Sequence, residues 1–198
     1  MIHFRKRLNI FEIIKAFLLS KKLNLSHWKK SNDQKSVLLS KSSWAILLIA
    51  IWIRFKKKGE NPIFLVPDYY CDYSLNLLRV LGSKIIFYNI EENFEPSFNS
   101  INSFENFDAL IVTHYFGKSK DFSKFSDYCI NKKKLLIEDA THCLKKTDNI
   151  GNYGHFTLYS QHKFFSCING ALLVLNEKKL SKEDLEFFVD KSNCINLL

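Results

Sequence analysis

An α/β domain built on a mainly parallel sheet is the fold class that this sequence predicts. Three observations carry that prediction. Short apolar runs such as Ile63–Val66 (IFLV), Ala109–Thr113 (ALIVT) and Leu135–Ile137 (LLI) alternate with longer segments of helical character, the pattern of strands joined by crossover helices. The run ALIVT is unbroken rather than alternating, as expected of a buried strand. With 198 residues, 46% of them hydrophobic and 25% charged, the chain suffices for one well-cored domain, or for one large domain plus a fragment of a second.

In order along the chain, residues 1–35 read as an amphipathic helix and a polar connector, and residues 36–198 as the domain proper. The N-terminal MIHFRKRLNIFEIIKAFLLSKK is superficially like a secretory leader, but Glu12 and Lys15 interrupt its apolar run and no small-residue cleavage site follows. A helix is expected over about 43–57. Its core, WAILLIAIWI, is half the roughly 20 apolar residues a bilayer requires, so a buried helix is expected there and no membrane span. The strand Ile63–Val66 ends in Pro67, a helix over about 72–82 stops at Gly82, and Lys84–Tyr88 (KIIFY) is the next strand. Residues 89–107 form a polar, Asn/Ser-rich connector without an assigned element. The strand ALIVT, a helix over about 120–131, the strand LLI, strands near 155–159 and 171–175, and a charged helix from about 181 complete the reading.

Composition narrows the function classes. The formal net charge is +9, but much of it sits in the runs Lys56–Lys58 and Lys132–Lys134 beside apolar segments, where solvated faces are expected. No basic–aromatic RNA signature and no zinc-finger spacing is present, so no nucleic-acid partner is expected. Five cysteines, an odd number without a CxxC pair, fit neither a disulfide framework nor a metal site. Reduced thiols in a cytoplasmic protein are the expectation.

In parallel sheets ligands bind beyond the carboxyl ends of the strands, which directs attention to Pro67–Tyr70, His114–Gly117 and Glu138–His142. Asp139 follows LLI, where an acid can hold a cationic ring nitrogen. Ser160 and Lys163 follow the strand near 155–159, setting a hydroxyl three residues before an amine. Ser40, Ser42 and Ser43 precede or open the apolar helix, where free N–H groups favour an anion. Singly, each has an ordinary reading: Asp139 as a turn residue, Lys163 as one surface base among many, the serines as helix caps.

Taken together, LLSKSSWAILLIAI, IFLVPDYYCDYSLNLLRVLGSKIIFYNI, IVTHYFGKSKDFSKFSDYCINKKKLLIEDATHCL and GNYGHFTLYSQHKFFSCINGALLVLN resemble, in this order, the DegT-type (DegT/DnrJ/StrS) sugar aminotransferases. These are enzymes of fold type I that depend on pyridoxal 5'-phosphate (PLP). The resemblance covers about residues 36–176, and its last two stretches are the specific ones. It implies the large domain of that fold, a mainly parallel mixed sheet of about seven strands sandwiched by helices, with the C-terminal small domain absent or truncated. It implies that Lys163 carries the cofactor and shuttles protons at the substrate's α-carbon, and that Asp139 pairs with the pyridine nitrogen. His142 would lie beside the phenolic oxygen. Ser160, Ser43 and Ser42 would hold the phosphate, Tyr70 would wall the cofactor and His114 the substrate. His162 is read as a neighbour of the lysine, and His155 as a residue that packs or faces solvent. The implied activity is transfer of an amino group from an amino acid, glutamate, to a keto-sugar nucleotide in surface polysaccharide or related sugar biosynthesis, by a homodimer. The alternative is a truncated, non-catalytic remnant that folds and dimerises, binding PLP or a partner enzyme without turnover.

Three departures qualify the resemblance. Lys41 stands where the family commonly has Gly, a residue that tolerates positive φ and close phosphate approach. Asn169-Gly170 stands where Gly-Gly is usual. The chain is also about half the length of the family's members.

Overall fold

The computed structural model of the chain describes residues 24–31, 34–147, 149–165 and 170–195. The expected N-terminal helix and the position of Asn169 lie outside the described residues. Seven strands, β1 (Ser36–Leu39), β2 (Ile63–Pro67), β3 (Lys84–Tyr88), β4 (Ala109–Thr113), β5 (Leu135–Asp139), β6 (Phe156–Tyr159) and β7 (Ala171–Leu175), form one sheet in the order β1-β7-β6-β5-β4-β2-β3. The pairs β3/β2, β2/β4, β4/β5 and β5/β6 are parallel, and β7 pairs antiparallel with both β6 and β1. The sheet is therefore mixed and mainly parallel, as the sequence predicts.

Helices cover both faces. On one side lie α1 (Ser42–Lys56), α2 (Asp72–Leu81) and α5 (Lys182–Ile195), and on the other α3 (Phe98–Asn102) and α4 (Ser123–Asn131). The WAILLIAIWI segment is the centre of the first layer: Ile46, Leu48, Ile49 and Ala50 are fully buried. They pack with Phe64, Val66, Ile111, Leu75 and Phe188. A helix buried nearly all round needs apolar residues nearly all round, which accounts for the run without a membrane. No helix among the described residues is long and apolar enough to cross one. On the opposite face Leu65, Leu110, Val112, Phe122, Phe125 and Leu136 make a second core.

The elements depart from expectation where tertiary contacts, not local pattern, decide. Strand β1 was not foreseen; four residues long, it is held by its register with β7, Ser36 opposite Val174. Within the polar connector, α3 forms because Ile101 is fully buried against the second core. Helix α4 begins at Ser123, not near 120, because Asp121 Oδ1 accepts the Ser123 N–H at 2.8 Å and sets the turn that starts it. Strand β5 runs on to Asp139, so the acid is the strand's last residue. His155 does pack: its Nδ1 accepts the Leu136 N–H at 3.1 Å.

Connectivity determines where a ligand can sit. From β2 the chain moves outward to β3 and then crosses back over β2 to β4. That reversal opens a crevice beyond the carboxyl ends of β2 and β4.

Candidate functional site

A cavity of about 290 Å³ occupies that crevice, lined by Tyr69, Tyr70, Cys71, Ser74, Thr113, Tyr115, Asp139, Thr141, His142 and Lys163. Four strand ends contribute: Tyr70 follows β2, Thr113 ends β4, Asp139 ends β5, and Lys163 lies on a short 3-10 turn, Gln161–Lys163, directly after β6.

Asp139 is the charged floor. It is 4% exposed, and both carboxylate oxygens are held: Tyr70 Oη donates to Oδ2 at 2.6 Å, and the Thr141 N–H donates to Oδ1 at 2.9 Å. Burial pushes the Tyr70 phenol well above its ordinary range, and the neighbouring Asp139 charge and hydrogen bond add to that. Tyr70 therefore stays a donor. Each carboxylate oxygen retains a lone-pair direction for a further donor. Across the cavity, Lys163 Nζ donates to Thr141 Oγ1 at 3.2 Å. His142 receives the Phe116 N–H on Nδ1 at 3.4 Å, and its ring stacks on that of Phe116. Burial lowers its pKa below the ordinary value and Lys163 lowers it further, with Asp139 opposing. With Nδ1 accepting, the neutral ring presents Nε2–H.

The turn behind His142 is built for close approach. Phe116 adopts φ 55° and Gly117 φ 75°. A Cβ on Gly117 would stand 2.7 Å from the His142 carbonyl oxygen, so the turn can lie against that residue only with glycine.

Glu138, one residue before Asp139, points to the other face of the strand and does different work. Fully buried, it accepts the N–H groups of Gly151 at 2.8 Å, Tyr153 at 2.6 Å and Gly154 at 2.5 Å, and meets His114 Nε2 at 3.1 Å. It thereby fixes the loop that leads into β6 and so sets the position from which Lys163 emerges.

Of the residues singled out from sequence, the structure brings Lys163, Asp139, His142 and Tyr70 to the cavity. Ser42, Ser43, Ser160 and His114 do not line it. Ser42 and Ser43 form the first turn of α1, whose preceding Lys41 sets its amine over the Tyr73 ring, 5.7 Å from the centroid. That places the α1 N-terminus beside the start of α2. Lys41 itself has φ −143°, an extended conformation open to any residue, so the Gly-to-Lys departure carries no backbone penalty. Ser160 is 1% exposed, with Oγ 3.0 Å from His162 Nδ1. His114 has no exposed surface; between Glu138 and the Lys120 N–H, which it accepts at 3.2 Å, it cannot touch a substrate and is a scaffold residue. Sequence reasoning missed Thr141, Thr113 and Glu138. Only Thr141 had a local signal, an N–H two residues after an Asp, the geometry of an Asx turn.

The donor set decides what fits. A buried carboxylate facing an amine across an aromatic-walled cavity suits a flat, cationic heteroaromatic ring that also carries a carbonyl. Thr113, buried at the end of β4, lines the same space. Among the described residues no cluster suits a metal ion.

Comparison with known proteins agrees with this chemistry. Residues 59–189 match the model of the DegT/DnrJ/EryC1/StrS aminotransferase family. Among solved structures, a putative sugar aminotransferase of Streptococcus pneumoniae in its PLP-form superposes with a TM-score of 0.68 at 18% identity, over 91% of this chain and 54% of its own. NtdA of Bacillus subtilis, with bound cofactor PMP, gives 0.67 at 19% identity over 80% of this chain and 36% of its own. Helicobacter pylori PseC, an aminotransferase of pseudoaminic acid biosynthesis, gives 0.65 at 16% identity over 91% and 46%. At these identities the likeness establishes the fold, and the chain spans about half the length of these structures or less.

Proposed function

The chain belongs to the DegT/DnrJ/EryC1/StrS aminotransferase family, and from that premise we propose that it binds PLP in the cavity at the β2/β4 crevice and acts in amino-group transfer to a keto-sugar nucleotide, with glutamate as donor. The observation that carries the reading is the pairing of a buried, doubly hydrogen-bonded Asp139 with Lys163 across one cavity.

The cofactor, when bound, supplies an electron sink for the substrate's α-carbon. The chain's own residues provide the rest. Asp139 faces the ring nitrogen and stabilises its positive charge. Lys163 holds the cofactor and moves the proton at the substrate carbon, a role that requires a neutral amine during part of the cycle. His142, on the cavity wall, would lie beside the ring oxygen. Tyr70 keeps the carboxylate aimed and walls off water. The phosphate is assigned to the α1 N-terminus, where Ser42 and Ser43 add hydroxyls to free N–H groups, and to Ser160. A homodimer is part of the proposal.

Adding glutamate to the PLP-loaded protein and following the cofactor's absorption tests the transfer step. Conversion to the amine form of the cofactor is expected. Stable PLP binding with no conversion would overturn turnover by this chain and favour a cofactor-binding role without catalysis.

A further inference from the structure

We propose that Thr141 is a positioning residue that ties the acid and the amine of the site together, its main-chain N–H holding Asp139 and its hydroxyl holding the amine of Lys163. The inference rests on the PLP-binding reading above and assigns a role within it to a residue that the family resemblance did not single out.

The geometry is specific. Thr141 is 5% exposed and lies two residues beyond Asp139, where its N–H reaches Oδ1 at 2.9 Å. Its Oγ1 is 3.2 Å from Lys163 Nζ, the product of a different strand end 22 residues away. When the amine is neutral, a hydroxyl that accepts one of its N–H groups leaves the nitrogen lone pair free and limits where it points. Reaction with an aldehyde joins that nitrogen to the carbonyl carbon, and the aldehyde oxygen leaves as water with the two amine protons. Borohydride then adds hydride to the carbon while water supplies a proton to the nitrogen. Orientation of the lone pair before this step is what the hydroxyl contributes. Because the main-chain N–H survives any substitution except proline, the two tasks of Thr141 are separable.

The test uses Thr141→Val, which keeps the β-branched shape and the N–H but loses the hydroxyl, and Thr141→Ser, which restores it. Two probes are applied to the whole chain. PLP capture at Lys163, fixed by borohydride and read by mass spectrometry of the lysine peptide, is expected to slow roughly fivefold in Thr141→Val, the scale of one hydrogen bond, and to recover in Thr141→Ser. Binding of PMP, which has no aldehyde and still engages Asp139, is expected to be unchanged in both. Equal capture rates in wild type and Thr141→Val would overturn the proposal. Parallel loss of PMP binding would also overturn it, because the residue would then be merely structural. A second aldehyde, propionaldehyde with borohydride, separates the two levels of inference. If wild type ignores PLP while Lys163 labelling by propionaldehyde still depends on the Thr141 hydroxyl, the cofactor reading falls and the positioning role stands. If neither aldehyde labels Lys163 in a hydroxyl-dependent way, the positioning role falls.

Discussion

Neighbouring acids on one strand divide the labour here. Asp139 faces the cavity with two donors already in place, while Glu138 spends its carboxylate on three main-chain N–H groups and His114. Removing Glu138 would leave those donors buried without an acceptor, a loss counted group by group at about 1–3 kcal/mol each. Glu138→Ala is therefore expected to lower the urea-derived unfolding free energy by about 3 kcal/mol or more, and Glu138→Gln, which keeps one acceptor oxygen, by less. Equal stability of Glu138→Ala and wild type would refute the loop-anchoring role. The same contrast explains what the sequence could disclose. An acid after a buried strand was visible as Asp139, but nothing local distinguished Glu138, whose main-chain partners lie 13 to 16 residues further on and whose histidine partner lies 24 residues earlier.

Between elements, the joint of β5 and β6 carries a built-in acid sensitivity. His155 Nδ1 accepts the Leu136 N–H and so must be unprotonated in the fold. Burial, with Lys179 adding to it, brings its pKa down to about 4. Above the ordinary His value of about 6.5 both folded and unfolded chains hold it neutral, and it adds no pH dependence. As pH falls from there toward 4, only the unfolded chain takes up the proton, so stability is lost across that window, by up to about 3 kcal/mol. Urea midpoints measured between pH 7 and 4 are expected to decline in wild type and to decline less in His155→Asn; identical slopes would contradict this. At this scale most of the fold was legible. Strands ALIVT, KIIFY and ALLVL occupy the residues their apolar runs marked. Strand β1 and helix α3 were not legible, because four residues paired to β7 and one buried isoleucine owe their structure to partners remote in sequence. The cavity was legible only in part. Strand ends and the resemblance brought out Lys163, Asp139, His142 and Tyr70, whereas His114 looked like a ligand contact until its burial showed otherwise.

Across the whole molecule, the sheet's two faces do different jobs: one is sealed by α1, α2 and α5, the other by α3, α4 and the loop that Glu138 fixes. The last helix belongs to the core, since Phe188 is fully buried against Trp52 and Phe156, with ring centroids 5.6 and 5.1 Å away. Phe188→Ala is expected to cost about 3–5 kcal/mol in chemical denaturation, and a loss below 1 kcal/mol would mean that α5 is an appendage. The central chemical proposal is that the crevice presents Lys163 to a PLP ring held by Asp139. The direct measurement is to incubate the protein with PLP, reduce with borohydride, digest and locate the label by mass spectrometry. The label is expected on Lys163, with none fixed at any lysine in Lys163→Ala beyond the level of a denatured control. A label spread over surface lysines, or one that persists at the same level in Lys163→Ala, would contradict the account.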